Sequence, residues 1–341
     1  MATPFPVPSG MTPPLTVDTE INHNGLITVI ASFSLFLVLG SLGIRVHSAY
    51  SRRARQLDDL TFAATVVLAF AQVSAVFVQV HFGWGKSKSL IADEYLNSME
   101  KAGYSADILY MVTLSSSKAS TALFYRITLR SSQWMSYVLL TVTLLCTPVT
   151  IVLLAVRCDR HPWHDISQQC SVLFPQWQAV TALDIIFEII VLLYPIRAIM
   201  RLQTNLNNKV IVILVLSCRS FLIPIGAIHL HYMSQQVNSP DPTLEGTFAT
   251  IVVELHVALS VLVLTAPLMK PFVAAYVDEN GLAYTDDASK SRPNHKLTPN
   301  SDRSNGTYPG SRFSDSPAKN RIMKSIEISV DREDVELLER R

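Results

Sequence analysis

Cysteine is scarce in this sequence, with 4 residues in 341, and glycine is sparse at 12; charged residues make up only 16% of the chain. Neither sign of charge dominates, since 28 Lys and Arg stand against 27 Asp and Glu for a net charge of +1. A phosphate backbone is held by an excess of Lys and Arg, so nucleic acid is excluded as a partner. Four cysteines are too few for a disulfide-built scaffold. The first 25 residues, MATPFPVPSGMTPPLTVDTEINHNG, hold no lysine, arginine or cysteine, so the positive start of a cleavable signal peptide is missing and none is expected. Gly-rich phosphate loops and nucleophile motifs are absent too, and HPWH (161–164) lacks the i, i+4 His-Glu arrangement of a zinc helix. No enzymatic activity and no cofactor are expected.

What remains is apolar. Hydrophobic residues make up 49% of the chain and gather in seven blocks, near 26–44, 58–80, 105–125, 134–156, 177–196, 210–232 and 247–269. A bilayer core about 30 Å thick takes about 20 such residues per helix. Lipid admits only helices or closed barrels, and these blocks lack the period-two alternation of barrel strands. The expected fold is therefore all-α: an extracellular segment (1–25), a seven-transmembrane-helix bundle (26–277) and a cytoplasmic tail (278–341). The tail is polar and of mixed charge, too poor in apolar surface to offset the entropy of ordering, so it is expected to be disordered. Ile326, Ile328 and Val330 near its end alternate as in a strand that adds to a partner's sheet edge, or by chance on a solvated tail.

Orientation follows from the basic residues of the short connections. Arg45, Arg52, Arg53, Arg55, Arg126, Arg130, Arg197, Arg201 and Lys209 fall in the odd connections, and Lys86, Lys88, Lys101, Arg157 and Arg160 in the even ones. Nine against five places the odd connections and the tail in the cytoplasm and the N-terminus outside, in the plasma membrane. Cys158 and Cys170 then flank an extracellular connection, where a disulfide persists. Zinc held with His161 and His164, or two free thiols, are the alternatives. Cys146 and Cys218 fall in apolar blocks and are read as small packing residues.

Ionisable residues inside the blocks are the candidate site, because each costs at least about 2.5 kcal/mol at the bilayer centre unless paired. They are Lys118, Asp184, Glu188, Arg219 and Glu254, with His256 beside the last. Lys118 lies about 10 Å from the cytoplasmic end of the third helix and leans the other way, so a buried carboxylate is expected as its partner. Depth matching favours Glu188, then Asp184 one turn away, with Arg219 competing for the same carboxylates or for Glu254. A polar pocket bordered by Ser117, Thr121, Asp184 and Glu254 is expected above the pair.

Several landmarks occur in a fixed order along the helices: Asp58-Asp59, Gly83-x-Gly85, KASTALFYR with Lys118, Phe124, Tyr125 and Arg126, the Cys158, Trp163, Cys170 connection, Asp184 with Pro195, and Glu254 with Pro267. In these the chain resembles the fungal rhodopsin-like integral membrane proteins, which overlap the fungal pathogenicity receptor-like group. It departs from them at Ser87, where the family often has His, and at His229, where it has an arginine late in the sixth helix. The cysteine-rich extracellular module of some receptor-like members is absent from the N-terminal segment. Covalent retinal is not expected, since TFATIVVELHVALSVLVLTAPLM holds no lysine before Lys270. The resemblance leaves three functions open: a receptor or sensor of an unknown small-molecule or extracellular ligand, whose tail recruits a cytoplasmic partner; a transporter or ion pathway lined by the intramembrane charges; or a membrane scaffold.

Overall fold

The computed structural model describes residues 18–52, 57–128, 133–156, 163, 173–200 and 206–269. Its regular structure is helical: α1 (Asn24–Arg52), α2 (Leu57–His81), α3 (Asp93–Thr128), α4 (Gln133–Ala155), α5 (Leu173–Met200), α6 (Leu206–Ser217), α7 (Leu222–Asn238) and α8 (Pro242–Thr265). A 3-10 turn, Cys218–Phe221, joins α6 to α7 without a loop, so the two occupy the place of the sixth apolar block. No strand forms among the described residues, where β pairing is limited to isolated bridges of Asn22 with Thr19 and with Lys86. The predicted tail, 278–341, and the Cys158 to Cys170 bridge lie outside the described residues; Cys146 and Cys218 are free thiols.

Six stretches are long and apolar enough to cross a membrane: Asn24–Tyr50, Leu57–His81, Trp134–Ala155, Leu173–Met200, Ile213–Asn238 and Pro242–Thr265. α3 is not among them. It is the longest helix at 36 residues, about 54 Å at about 1.5 Å per residue, and it carries Glu100, Lys101, Asp107 and Lys118 along its length.

Burial is reversed relative to a water-soluble protein. Phe36 is 70% exposed and Leu60 and Val67 are each 68% exposed, whereas Ser34, Thr65, Gln72, Thr113 and Ser117 are wholly buried. Water as solvent produces the opposite distribution. With hydrocarbon outside, helices associate through small and hydrogen-bonded polar residues. Thr65 Oγ1 and Ser116 Oγ lie 2.8 Å apart between α2 and α3, and Ser117 Oγ donates to the Ser260 carbonyl at 3.2 Å between α3 and α8.

The end of the bundle where α1 begins, here termed upper, is laced by the turn after α2. Gly83 (φ +115°) and Gly85 (φ +87°) take up left-handed backbone, and a Cβ on Gly85 would stand 3.0 Å from the Asn24 nitrogen. Only glycine admits that approach. Asn24 donates its amide to the Val80 carbonyl at 2.8 Å, Trp84 Nε1 donates to Thr250 Oγ1 at 2.8 Å, and the Trp84 ring lies over Gly246 of α8.

Asp241, capping α8 ahead of Pro242, completes the lacing. Its carboxylate accepts from the Ser87 hydroxyl, from Thr243 Oγ1 at 2.8 Å and from the Lys88 backbone N–H at 3.1 Å. Partial burial pushes its pKa up, but the bonds from Ser87, Thr243 and the backbone outweigh burial and hold it below the ordinary aspartate value. A depressed carboxyl stabilises fully above its unfolded value of about 3.9 and loses that contribution as pH falls through the lowered folded value. Asp241→Ala is therefore expected to cost about 0.5–1.5 kcal/mol at neutral pH, the scale of a net hydrogen bond. The gap in thermal midpoint from the parent protein should shrink as pH is taken well below 4.

At the lower end Arg45 corrects the loop count. It lies within α1 and is only 4% exposed. Its guanidinium forks onto two carboxylates, Nη2 on Asp58 and Nε on Asp59 at 2.8 Å, and sits 5.2 Å from the Phe62 ring centroid. It is a buried packing cation rather than a free charge of the first connection.

Candidate functional site

Four of the five predicted intramembrane charges meet. α3 brings Lys118 against α5, where Nζ forms an ion pair with Asp184 and lies 3.4 Å from that residue's carbonyl and 3.9 Å from Glu188 Oε2. Arg219, from the 3-10 turn between α6 and α7, pairs with Glu188 through Nε and donates Nη2 to Glu188 Oε2 at 3.3 Å and Nη1 to Thr121 Oγ1 at 2.6 Å. Two cations face two carboxylates, so the quartet carries no net charge and each member's burial is offset by a partner. The expected order of partners is thereby corrected: Asp184 takes Lys118, because Arg219 claims Glu188. Glu254 does not join them. Its Oε1 accepts from Gln72 Nε2 of α2 at 3.0 Å.

Above the quartet lies an aromatic layer. The Tyr110 hydroxyl and His256 Nδ1 are 2.7 Å apart, and the rings of Trp177 and His229 close on the same tyrosine at 6.4 and 5.6 Å between centroids. Trp177 and His229 meet edge-on at 5.0 Å, a favourable arrangement for such rings.

Over this layer opens a cavity of about 810 Å³ between α2, α3, α5, α7 and α8, lined among others by Gln72, Gln79, Trp84, Gly103, Ala106 and His229. This differs from the pocket read in the sequence. Ser117, Thr121 and Asp184 do not line it, because the aromatic layer separates it from the quartet, and Glu254 stands behind Gln72. Among the described residues that do line it there is no lysine or arginine.

The other landmarks serve packing. Tyr125 is buried 5.7 Å from the Tyr194 ring, and the Arg126 guanidinium lies 4.4 Å from the Tyr137 ring centroid. Trp163 borders the cavity with Lys101 Nζ 5.2 Å from its ring centroid. Pro195 sits inside α5, and Pro267 lies in the 3-10 turn Ala266–Met269 after α8. Gln72, Tyr110 and Trp177 went unnoticed in the sequence. A glutamine inside an apolar block was the one available sign, since hydrocarbon penalises an amide much as it does a charge.

A chain that buries its hydroxyls and charges, and turns its large apolar side chains outward from membrane-length helices, is a multi-pass membrane protein. It belongs to the fungal rhodopsin domain family, which it matches over residues 44–275, from the last turns of α1 past the end of α8. No curated protein matches it.

Proposed function

We propose that this protein is a seven-pass, non-catalytic receptor of the plasma membrane, N-terminus outside and tail in the cytoplasm, that holds a small ligand in the upper cavity and engages a cytoplasmic partner through its tail. α3 supplies the seventh crossing, since pairing Lys118 with Asp184 removes the main obstacle to placing it in lipid. The cavity carries the reading. Its 810 Å³ falls within the range of about 300–1,000 Å³ typical of small-molecule sites, and the aromatic layer and the paired quartet close it below. A conducting path would have to break those pairs.

One observation favours a transporter as the second reading: the sixth rod is interrupted at Arg219 by a 3-10 turn, and broken helices are a recurrent transporter feature. Single cysteines distinguish the geometries. With the labelling of unsubstituted protein subtracted, Val76→Cys and Ala249→Cys, which line the cavity, are expected to react in intact cells with an impermeant thiol reagent added outside. Ala122→Cys, buried beside Tyr125, is not. A tag before Thr28 should be reached from outside and one after Pro271 should not. Labelling of Ala122→Cys alone, with the tags reversed, removes the orientation and the receptor reading with it; labelling of all three from outside favours a through-path, to be followed by uptake measurements in proteoliposomes.

A further inference from the structure

Several buried polar atoms among the described residues have no hydrogen-bond partner, and two of them belong to one bonded pair at the cavity floor. Gln72 and Glu254 are each fully buried and joined by one hydrogen bond of 3.0 Å. Gln72 Oε1 and Glu254 Oε2 have no hydrogen-bond partner, and Glu254 forms no ion pair among the described residues. The quartet shows how this chain otherwise treats a buried carboxylate, with a cation placed directly on it. Gln72 lines the cavity, as do the apolar side chains of Val76, Ala106, Met233 and Val253. The floor therefore presents the Gln72 carbonyl as an acceptor with no donor, and a carboxyl with no cation stands one hydrogen bond behind it, beneath walls suited to a carbon skeleton.

We propose that the cavity receives a small organic cation, a primary or secondary ammonium whose N–H donates to Gln72 Oε1 and whose charge is balanced by Glu254 one hydrogen bond behind it. A neutral alcohol satisfies the amide but leaves the carboxyl uncompensated, and an anion meets an acceptor at the floor and the carboxyl groups of Glu100 and Asp107 in the wall. Trp84 and the other ring-bearing residues of the wall add faces on which an ammonium is favourable. The proposal rests on the cavity being the ligand site.

The test uses the full chain carrying Val76→Cys, one helical turn from Gln72 on α2, in intact cells. The rates with the trimethylammonium-ethyl and sulfonatoethyl methanethiosulfonates are measured, each divided by its rate with free mercaptoethanol. Field focusing in a cleft is expected to favour the cationic reagent by about tenfold or more. Glu254→Gln should lower the ratio severalfold, leaving the share due to Glu100 and Asp107 of the cavity wall, and 2-phenylethylammonium should slow the labelling where 2-phenylethanol does not. Gln72→Met, which keeps the length but removes the acceptor, serves as the second variant and should abolish that protection. A ratio near one before Glu254 is touched, or a ratio that Glu254→Gln leaves unchanged, overturns the cation while leaving the open cavity intact. Reaction with neither reagent overturns the outward cavity itself, and the receptor reading falls with it.

Discussion

Lys118→Met is expected to destabilise the bundle by about 3–5 kcal/mol, the cost of leaving a buried carboxylate without its cation. The loss is larger than for a surface ion pair because Lys118 is only 5% exposed, and a screened surface pair contributes about 0–1 kcal/mol. Adding Asp184→Asn should recover much of it, since a neutral amide no longer requires the ammonium. Glu188→Gln should recover less. Nζ is in contact with Asp184 but 3.9 Å from Glu188, and Glu188 keeps Arg219 when Lys118 is gone. Thermal midpoints of the purified single and double variants give the two coupling energies. Equal coupling to both carboxylates, or none to Asp184, would contradict the assigned pairing.

Arg45→Met is expected to be about as damaging, because it strands the buried Asp58 and takes the guanidinium from Asp59. Asp58 is 1% exposed and fully dependent on the guanidinium, whereas Asp59 retains some access to solvent. Asp58→Asn should therefore rescue Arg45→Met more than Asp59→Asn does. Arg45→Lys is expected to fall between parent and Met: a single ammonium keeps the charge but lacks the planar fork that meets Asp58 and Asp59 together. Folded yield and thermal midpoint after solubilisation report both effects. Parent-like stability of Arg45→Met would show that the two aspartates are satisfied by something other than α1.

The helices were legible because hydrophobic length is a local property. The blocks read at 58–80 and 134–156 became Leu57–His81 and Gln133–Ala155. The third was read as 105–125 and became Asp93–Thr128, since its first three turns are polar and reach beyond the apolar core that set the expected limits. The glycine pair after α2 was visible as a landmark, and its conformation explains why glycine stands there. Partner choice inside the bundle was much less legible. Depth along a helix predicts which charges lie level, and it brought Lys118, Asp184, Glu188 and Arg219 to one layer. Choosing between two carboxylates one turn apart depended on which of them Arg219 reached first. Gln72 with Glu254 and Tyr110 with His256 are separated by 182 and 146 residues, and nothing in either local segment encodes the other. Arg45 was misassigned because a basic residue at the edge of an apolar block looks the same whether it faces cytoplasm or a buried acid.

The lacing of the upper rim also divides the cavity wall mechanically. Asn24, Trp84 and Asp241 fasten α1, the turn after α2 and the start of α8 into one stiff arc, through hydrogen bonds that sliding would have to break together. On the opposite side the wall is formed by α5 and α7, and α7 is continuous with the 3-10 turn that carries Arg219. The far end of α7 is tied to the same arc, since Asp241 N–H donates to Ser239 Oγ just past its last residue. A push on the middle of α7 would thus meet a fixed point above and, along one continuous rod, the Arg219–Glu188 contact below.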